Sequence, residues 1–421
     1  MADKMTRLNE PLGNYVSHRW IDGGISIVTE NAVFDLIFYS AQICRVRITR
    51  FGEVAESFSY AVAADPQPMQ YDFSEDKTEI QIKTNCFIAR IAKFPVRVSF
   101  HKLSGQLINT DDPAFGTSWI GDEITTYKSL QPGERFLGLG EKTGNLDRAG
   151  AAYTNWNTDA FAYAETADPL YTSMPFYIGV HQGLCYSIFL DAAYRSTFNF
   201  GAANNRFSFF SAQAGTMDYY FIHGETIAAI LRAFTWLVGR MPLPPLWSLG
   251  YQQCRFSYYP DREVISIARQ FRDRGIPADV IYLDIHYMDG FRMFTWDRHR
   301  FPDPHKLVAD LKEMGFHVAV ILDPGIKIED DYPPYEDGKA RDVFVKYPDG
   351  ELYTGEVWPG WCHFPDFTRP DTRAWWGGWL KQYVDTGIEG FWNDMNEPAA
   401  WGHNIPALIE FDFDGQKATH K

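Results

Sequence analysis

The chain has 421 residues, of which 45% are hydrophobic and 22% are charged, a composition typical of a folded protein with two or more domains. Its formal net charge of −15 at pH 7 argues against nucleic acid or an anionic membrane as a partner. No apolar run reaches the length of a membrane span, and residues 1–6 show no apolar signal segment, so we expect a cytoplasmic protein.

Five cysteines lie far apart, at positions 44, 86, 185, 254 and 362. Their number is odd and no pair has CxxC spacing. Both features predict free, buried thiols in a reducing compartment rather than disulfides.

Residues 20 to about 235 contain short alternating or apolar runs with turn residues between them. The clearest runs span 33–39, 44–49, 79–83, 87–92 and 96–100. Many short strands at this spacing indicate an antiparallel β-sandwich, to which we assign residues 1–240.

Two segments of this domain could belong to a functional site. Residues 138–144 read GLGEKTG, which differs from the phosphate-binding GxxxxGK[ST] pattern, so we predict a β-turn in which glycine supplies positive φ. Asp159 lies in the polar, aromatic segment 156–163. It either caps a backbone amide in a surface turn or reaches over a neighbouring site to bind a sugar hydroxyl.

The proline-rich segment 241–245 separates the sandwich from a region in which the hydrophobic residues recur with a different spacing. Strands are predicted at 247–252, 278–285, 316–322 and 388–392, with helices at 261–274, 303–314 and 370–387. Asp261 is the predicted N-cap of the first of these helices. Alternating strands and helices indicate a parallel sheet, and we interpret residues 241–421 as strands one to four of a (β/α)8 TIM barrel.

Three successive strands of this region end in an aspartate: Asp284, Asp323 and Asp394. A single aspartate at a strand end is more often a turn or helix cap. In a (β/α)8 barrel, however, polar residues just past the strand ends meet at the rim that holds the active site. Together with Trp358 and Trp392 nearby, they predict a site for a polyhydroxylated ligand.

Glycoside hydrolysis uses two carboxyl groups that flank the anomeric carbon. Asp394 suits the nucleophile, because the end of a strand holds it rigidly. Glu397 follows too closely to reach the opposite side of the same bond, so we assign it a supporting role. An aspartate-rich rim could instead bind Mg²⁺, but no HxH or HExxH pair and no phosphate-binding glycine loop accompany it. We therefore expect no metal and no cofactor.

At these residues the sequence resembles glycoside hydrolase family 31, a family of retaining α-glucosidases and α-xylosidases. The resemblance rests on five segments: GFWNDMNEP at 390–398, WSLGYQ at 247–252, LDIHYM at 283–288, FPDP at 301–304 and GLGE at 138–141. It implies Asp394 as the nucleophile. It also implies that the subsite for the non-reducing sugar is lined by Asp284, Ile285, Phe256, Ile326, Trp358, Trp392 and Met395. Asp159 matches a residue of the next subsite.

The resemblance places the general acid well downstream of the nucleophile, so we expect it beyond residue 421. We accordingly interpret the chain as truncated within the barrel and expect residues 1–421 alone to be inactive. A second chain that completes the barrel, or a homo-oligomer, is the alternative.

The predicted function is that of an exo-acting α-glucosidase which forms a covalent glycosyl-aspartate intermediate and has oligosaccharides or α-glucosides as substrates. An α-xylosidase, a transglucosylase and a catalytically incomplete carbohydrate-binding fragment remain open. By the same resemblance, Phe256 favours an α-xylosidase, whereas Ile285 favours an α-glucosidase.

Overall fold

The computed structural model describes residues 9–54, 58–402, 405–413 and 415–420. The chain forms two compact units, Met1–Met241 and Pro242–Lys421, and the division falls in the proline-rich segment. Each unit has its own hydrophobic core. None of the helices formed by the described residues is long and apolar enough to cross a membrane.

The first unit consists mainly of antiparallel strands, which confirms the predicted β-sandwich. Its described strands are, in chain order, β1 (Glu10–Pro11), β2 (Tyr15–Ile21), β3 (Gly24–Thr29), β4 (Ala32–Ser40), β5 (Ile43–Arg50), β6 (Asp72–Glu75), β7 (Glu79–Lys83), β8 (Ile88–Lys93), β9 (Val96–His101), β10 (Leu107–Thr110), β11 (Thr117–Ile120), β12 (Glu123–Ser129), β13 (Arg135–Gly140), β14 (Ala152–Asn155), β15 (Ser173–His181), β16 (Leu184–Leu190), β17 (Ser196–Asn199), β18 (Phe207–Ala212) and β19 (Met217–His223). They form an eight-stranded sheet (β13-β15-β16-β19-β5-β4-β3-β2), a six-stranded sheet (β1-β11-β12-β18-β17-β14) and a five-stranded sheet (β10-β9-β8-β7-β6).

Side chains from all three sheets meet in one apolar core. Phe100 of β9 stacks on Phe221 of β19 with their ring centroids 3.8 Å apart, and Trp119 of β11 is also buried. Burial of each large apolar side chain contributes about 1.5–3 kcal/mol, so this core holds the sheets face to face.

A buried ion pair also connects the three sheets. The Lys128 ammonium group, on β12, donates to Asp111 Oδ1 at 2.7 Å and to Tyr219 Oη at 3.0 Å. The Lys128 side chain is 1% exposed and that of Asp111 is 6% exposed. The second carboxylate oxygen of Asp111 accepts a bond from the Val98 amide at 2.8 Å. Both charges are therefore compensated inside the sandwich.

The prediction of strands as far as residue 235 is wrong at one element, because Ile227–Leu237 forms helix α1. Thr226 caps this helix, since its hydroxyl accepts the Ala229 N–H at 3.1 Å. Phe234 stacks on Phe176 of β15 at 3.9 Å. The helix thus packs on the sheet. The prediction was wrong because an apolar segment of this length is compatible by composition with a strand as well as with a helix.

The glycines of residues 138–144 do adopt positive φ, at 131° for Gly138 and 77° for Gly140. Gly138 and Gly140 lie at the end of β13, where the pairing with β15 shifts register as in a β-bulge, and not in the predicted β-turn. A Cβ atom on Gly138 would lie 2.5 Å from the Phe176 carbonyl oxygen. The close approach of the partner strand therefore requires glycine here.

The second unit contains a parallel sheet with helices between its strands, which confirms the predicted partial TIM barrel. Its described strands are β20 (Gln252–Gln253), β21 (Val280–Leu283), β22 (His317–Leu322), β23 (Ile326–Lys327), β24 (Gly355–Val357), β25 (Gly360–His363), β26 (Gly390–Asn393), β27 (Glu410–Phe413) and β28 (Gln416–Thr419), and its helices are α2 (Asp261–Asp273), α3 (Pro304–Glu313), α4 (Pro333–Ala340) and α5 (Pro370–Thr386). The parallel sheet has the order β20-β21-β22-β26.

Two predicted boundaries in this unit are wrong. Residues Leu246–Leu249 form a 3-10 helix after Pro245, and the first strand is shortened to Gln252–Gln253. Asp261 is the first residue of α2 and not its cap, because Pro260 occupies the cap position. Proline fixes the backbone φ angle at the start of each of these two elements. This local restraint outweighs the hydrophobic periodicity on which the predicted boundaries were based.

The segment between β22 and α5 contains structure that was not predicted. Helix α4 and a three-stranded antiparallel sheet, in the order β23-β25-β24, lie here. Short strands of two to four residues are too brief to produce a readable period. This small sheet carries Trp361 and leads into the loop of Trp358.

Candidate active site

The carboxyl ends of β21, β22 and β26 lie side by side and bring three aspartates to one rim. In the strand register Leu283 pairs with Val320, and Leu322 pairs with Asn393. The Asp394 amide donates to the Leu322 carbonyl at 3.1 Å. Asp284, Asp323 and Asp394 are close enough for their charges to act on one another.

Asp284 caps a short 3-10 helix, Ile285–Tyr287. Its Oδ1 accepts the Ile285 N–H at 2.7 Å, and the residue is 7% exposed. Burial raises the pKa of Asp284; the Ile285 N–H and His286 lower it, and the Asp394 charge adds to the rise. The interpretation of a strand-end aspartate as a helix cap is thus correct for Asp284 Oδ1. The capping bond fixes the direction of the carboxylate.

Asp323 follows β22 and is 3% exposed. Within the described ranges, neither of its carboxyl oxygens has a hydrogen-bond partner. Burial, followed by the negative charges of Asp394 and Asp284, raises the pKa of Asp323 to about 7. The sequence predicts Asp323 only as a strand-end aspartate, without a role of its own. Only its burial between two carboxylates distinguishes it.

Asp394 directly follows β26 and is half-buried. Met395 has φ of 56°, a left-handed conformation that is uncommon for a residue with a side chain. It turns the chain sharply away from the strand, so Asp394 remains at the rim. Glu397 is exposed, whereas Trp392 packs against the core of the unit with its ring 6.3 Å from that of Tyr282.

Aromatic rings form a wall around His286, which follows Asp284 by two residues. The Phe256 ring lies 5.2 Å from His286 and 5.8 Å from Trp358, and Tyr259 stacks on His286 at 4.4 Å. Phe256 is 60% exposed, so much of its ring is available to a ligand. Trp401, which was not predicted, extends the wall with its ring 5.0 Å from that of Trp358.

The remaining predicted residues of the first subsite are less exposed than Phe256. Ile285 and Ile326 are 1% and 0% exposed and belong to the apolar core. Met395 is half-buried against a smaller cluster that contains Val357 and Ile405. Their part in lining the first subsite therefore stays a prediction.

Asp159 lies in the first unit, in a loop held by several hydrogen bonds. Its Oδ1 accepts the Tyr171 hydroxyl at 2.9 Å, and the Asn157 side chain accepts the Ser173 amide at 2.8 Å. The buried ammonium group of Lys142 anchors the same loop through Asp168 at 2.7 Å. These bonds tie the loop to neighbouring residues of the first unit, and the role of Asp159 stays a prediction.

No group of three or more His, Cys, Asp or Glu side chains in the part of the chain that the structure describes is arranged to hold a metal ion.

Two family models match this chain. Residues 33–199 match the glycosyl hydrolase 31 N-terminal galactose mutarotase-like domain. Residues 241–419 match the glycosyl hydrolases family 31 TIM-barrel domain.

Two relatives and one solved structure are similar to this chain over 68% to 98% of its length. Alpha-glucosidase 2 of Bacillus thermoamyloliquefaciens is 40% identical over 413 residues, which are 97% of this chain and 52% of that protein. An alpha-glucosidase of Saccharolobus solfataricus is 36% identical over 285 residues, or 68% of this chain and 41% of that protein. The structure of a Flavobacterium johnsoniae GH31 dextranase complexed with isomaltotriose matches with a TM-score of 0.89 and 31% identity, covering 98% of this chain and 51% of that one. The chain thus spans about half the length of these relatives.

Proposed function

Because the chain belongs to glycoside hydrolase family 31, we propose that it is the N-terminal part of a retaining, exo-acting α-glucosidase that releases terminal α-linked glucose from oligosaccharides. The observation that carries this proposal is the rim itself, where three parallel strands deliver Asp284, Asp323 and Asp394. The aromatic wall of Phe256 and Trp358 contacts His286, which follows Asp284 by two residues. Two relatives that are 40% and 36% identical are alpha-glucosidases, which supports glucose as the sugar.

In the proposed mechanism Asp394 is the nucleophile. One of its carboxylate oxygens bonds to the anomeric carbon, while the bond from that carbon to the leaving-group oxygen breaks and an acid protonates the leaving group. Water then attacks the anomeric carbon of the covalent glycosyl-aspartate, gives up a proton to the same acid/base, and frees Asp394. Two inversions at one carbon give net retention.

We propose that the general acid comes from residues beyond 421 or from a second chain. A retaining enzyme needs its two carboxyl groups about 5–5.5 Å apart across the scissile bond. Asp323 is buried with a strand on either side, and Asp284 is engaged as a helix cap. Both are better suited to positioning than to protonating a leaving group. Asp159 is proposed to contact the sugar in the next subsite.

The anomer of the first product tests the proposed mechanism. For the full-length protein acting on an aryl α-glucoside, we expect proton NMR to show α-glucose before any β-glucose, because retention preserves the configuration. Early β-glucose would contradict a retaining mechanism. Oligosaccharide products in place of free glucose would instead identify a transglucosylase.

The choice between glucose and xylose depends on Phe256, whose ring lacks a hydroxyl group and is largely exposed. This observation favours an α-xylosidase as the second candidate. The ratio of kcat/KM for aryl α-glucoside to that for aryl α-xyloside decides between them. A ratio above one is expected for the α-glucosidase that we propose, and a ratio below one would favour the xylosidase.

Replacing Asp284 with asparagine tests the role of this carboxylate in sugar binding. Loss of a charged hydrogen-bond acceptor costs about 1.5–3 kcal/mol, so kcat/KM for an aryl α-glucoside is expected to fall about tenfold to a hundredfold. The matched control is Asp289→Asn, which changes an exposed aspartate of the same loop that pairs with Arg292. An equal loss in both variants would show that the effect is structural.

We also propose a cytoplasmic location. The five cysteines are all free in the structure, and burial raises the pKa of the Cys362 thiol to about 12. Cys44, Cys185 and Cys362 are buried as predicted, whereas Cys86 is half-buried and Cys254 is exposed. Unpaired thiols are typical of a reducing compartment.

A further inference from the structure

Asp323 has an environment in which an ionised carboxylate is unfavourable. It is 3% exposed, and neither carboxyl oxygen has a hydrogen-bond partner among the described residues. A buried charge without donors is costly, whereas a protonated carboxyl group carries no net charge and has a hydrogen to donate. The surroundings therefore favour the protonated form.

The groups that face Asp323 from the neighbouring elements are anionic or neutral. Asp394 lies on the side of β26 and Asp284 on the side of β21, and both raise the pKa of Asp323. The Tyr287 hydroxyl, from the 3-10 helix after β21, already donates to the Ile321 carbonyl at 2.9 Å. Two carboxylates are thus available as acceptors, and Asp323 is the one acid between them that can supply a proton.

Strand register makes Asp394 the nearer partner. Leu322 pairs with Asn393, so the residues that follow, Asp323 and Asp394, leave adjacent parallel strands at the same level. The Asp394 amide is bonded to the Leu322 carbonyl, which keeps the two strands together at this point. Asp284 follows Leu283, which pairs with Val320, and therefore lies two residues lower along the sheet.

We propose that Asp323 is a positioning residue that stays protonated and donates its carboxyl hydrogen to the Asp394 carboxylate. This inference rests on the proposed function, because it assigns Asp323 through the nucleophile. The bond would hold the Asp394 carboxylate in one rotation and stabilise its anionic form. With a pKa of about 7, the proton is present in acidic solution, is bound in about half of the molecules at neutral pH and is lost above it.

Two substitutions at Asp323 distinguish a residue that acts as a hydrogen-bond donor from one that acts as an anion. Asp323→Asn keeps the volume and an N–H donor but cannot ionise, whereas Asp323→Leu has a similar size and no donor. We expect D323L to lower kcat/KM of the full-length protein about tenfold to a hundredfold at pH 6, and D323N to recover most of that loss. Equal losses in D323N and D323L would overturn the proposal, since an essential anion is absent from both.

Thermal unfolding at several pH values tests the protonation state without any need for activity. An acid whose pKa is raised in the folded state contributes stability that is present below its unfolded pKa of about 4 and is lost as pH rises through about 7. The Tm of the wild type should therefore fall relative to that of D323N between pH 5 and pH 8. A constant difference in Tm would mean that Asp323 is ionised throughout, and the proposal would be wrong even if the enzyme is an α-glucosidase.

The same measurement identifies the acceptor. Neutralising Asp394 in Asp394→Asn removes the charge that contributes most among the neighbours to the raised pKa. The pH at which the Tm difference appears should then be lower in D394N than in the wild type. This downward shift should be larger in D394N than in D284N. A larger shift in D284N would show that Asp284 accepts the hydrogen and would contradict the proposed partner.

Discussion

Replacing Asp394 with alanine in the full-length protein is expected to lower kcat/KM for an aryl α-glucoside at least about a thousandfold, or about 4 kcal/mol or more. The covalent intermediate cannot form without this carboxylate, and the interaction exists chiefly in the transition state. Initial rates measured with a chromogenic aryl α-glucoside give this value. Asp394→Asn should show a loss of the same order, because the amide is a poor nucleophile of similar size.

Glu397→Gln is the matched control, since it neutralises the other carboxylate of the same loop, three residues further on. We expect a loss of no more than about tenfold, as for a residue that supports the loop. Sodium azide offers a second check. In D394A, azide can enter the vacated space and attack the anomeric carbon of an activated substrate, which gives the β-glucosyl azide. Activity of D394A close to that of the wild type, or a greater loss in E397Q, would contradict Asp394 as the nucleophile.

Replacing Lys128 with methionine is expected to destabilise the first unit by about 3–5 kcal/mol. The variant leaves Asp111 inside the sandwich without its ammonium partner, and removes a donor to Tyr219. Removing one member of a buried pair costs more than the pair contributed, because the remaining charge stays desolvated. Urea unfolding followed by circular dichroism measures the change.

The control for this prediction is Lys83→Met, which removes an exposed lysine 3.5 Å from Asp72 in the same unit. Exposed ion pairs contribute little, so a change within about 0.5 kcal/mol is expected. Adding Asp111→Asn to K128M should recover part of the stability, since no buried charge then remains unpaired. If K128M unfolds at the same urea concentration as K83M, the buried pair is not a major contributor.

Local signals in the sequence predicted α3 and α5 of the second unit well, although α4 was missed. Asp303 caps α3, where its side chain accepts the Lys306 amide at 3.0 Å, and Gly387 ends α5 with φ of 102°. Caps and terminal glycines act over three or four residues, so they can be recognised without knowledge of the fold. The same approach failed where a proline changed the start of an element, as at Pro245 and Pro260. It also failed at α1, whose apolar residues fit the periodicity of a strand as well as that of a helix.

The sequence by itself determined that three consecutive strands each end in an aspartate, and this pattern was sufficient to locate the rim. Only the tertiary structure decided how the three carboxyl groups differ. Asp284 caps a helix, Asp323 is enclosed with no hydrogen-bond donor to it among the described residues, and Asp394 stays half-exposed. The physical reason is that burial and mutual charge depend on residues up to about a hundred positions apart, which strand register brings together and which no local pattern encodes.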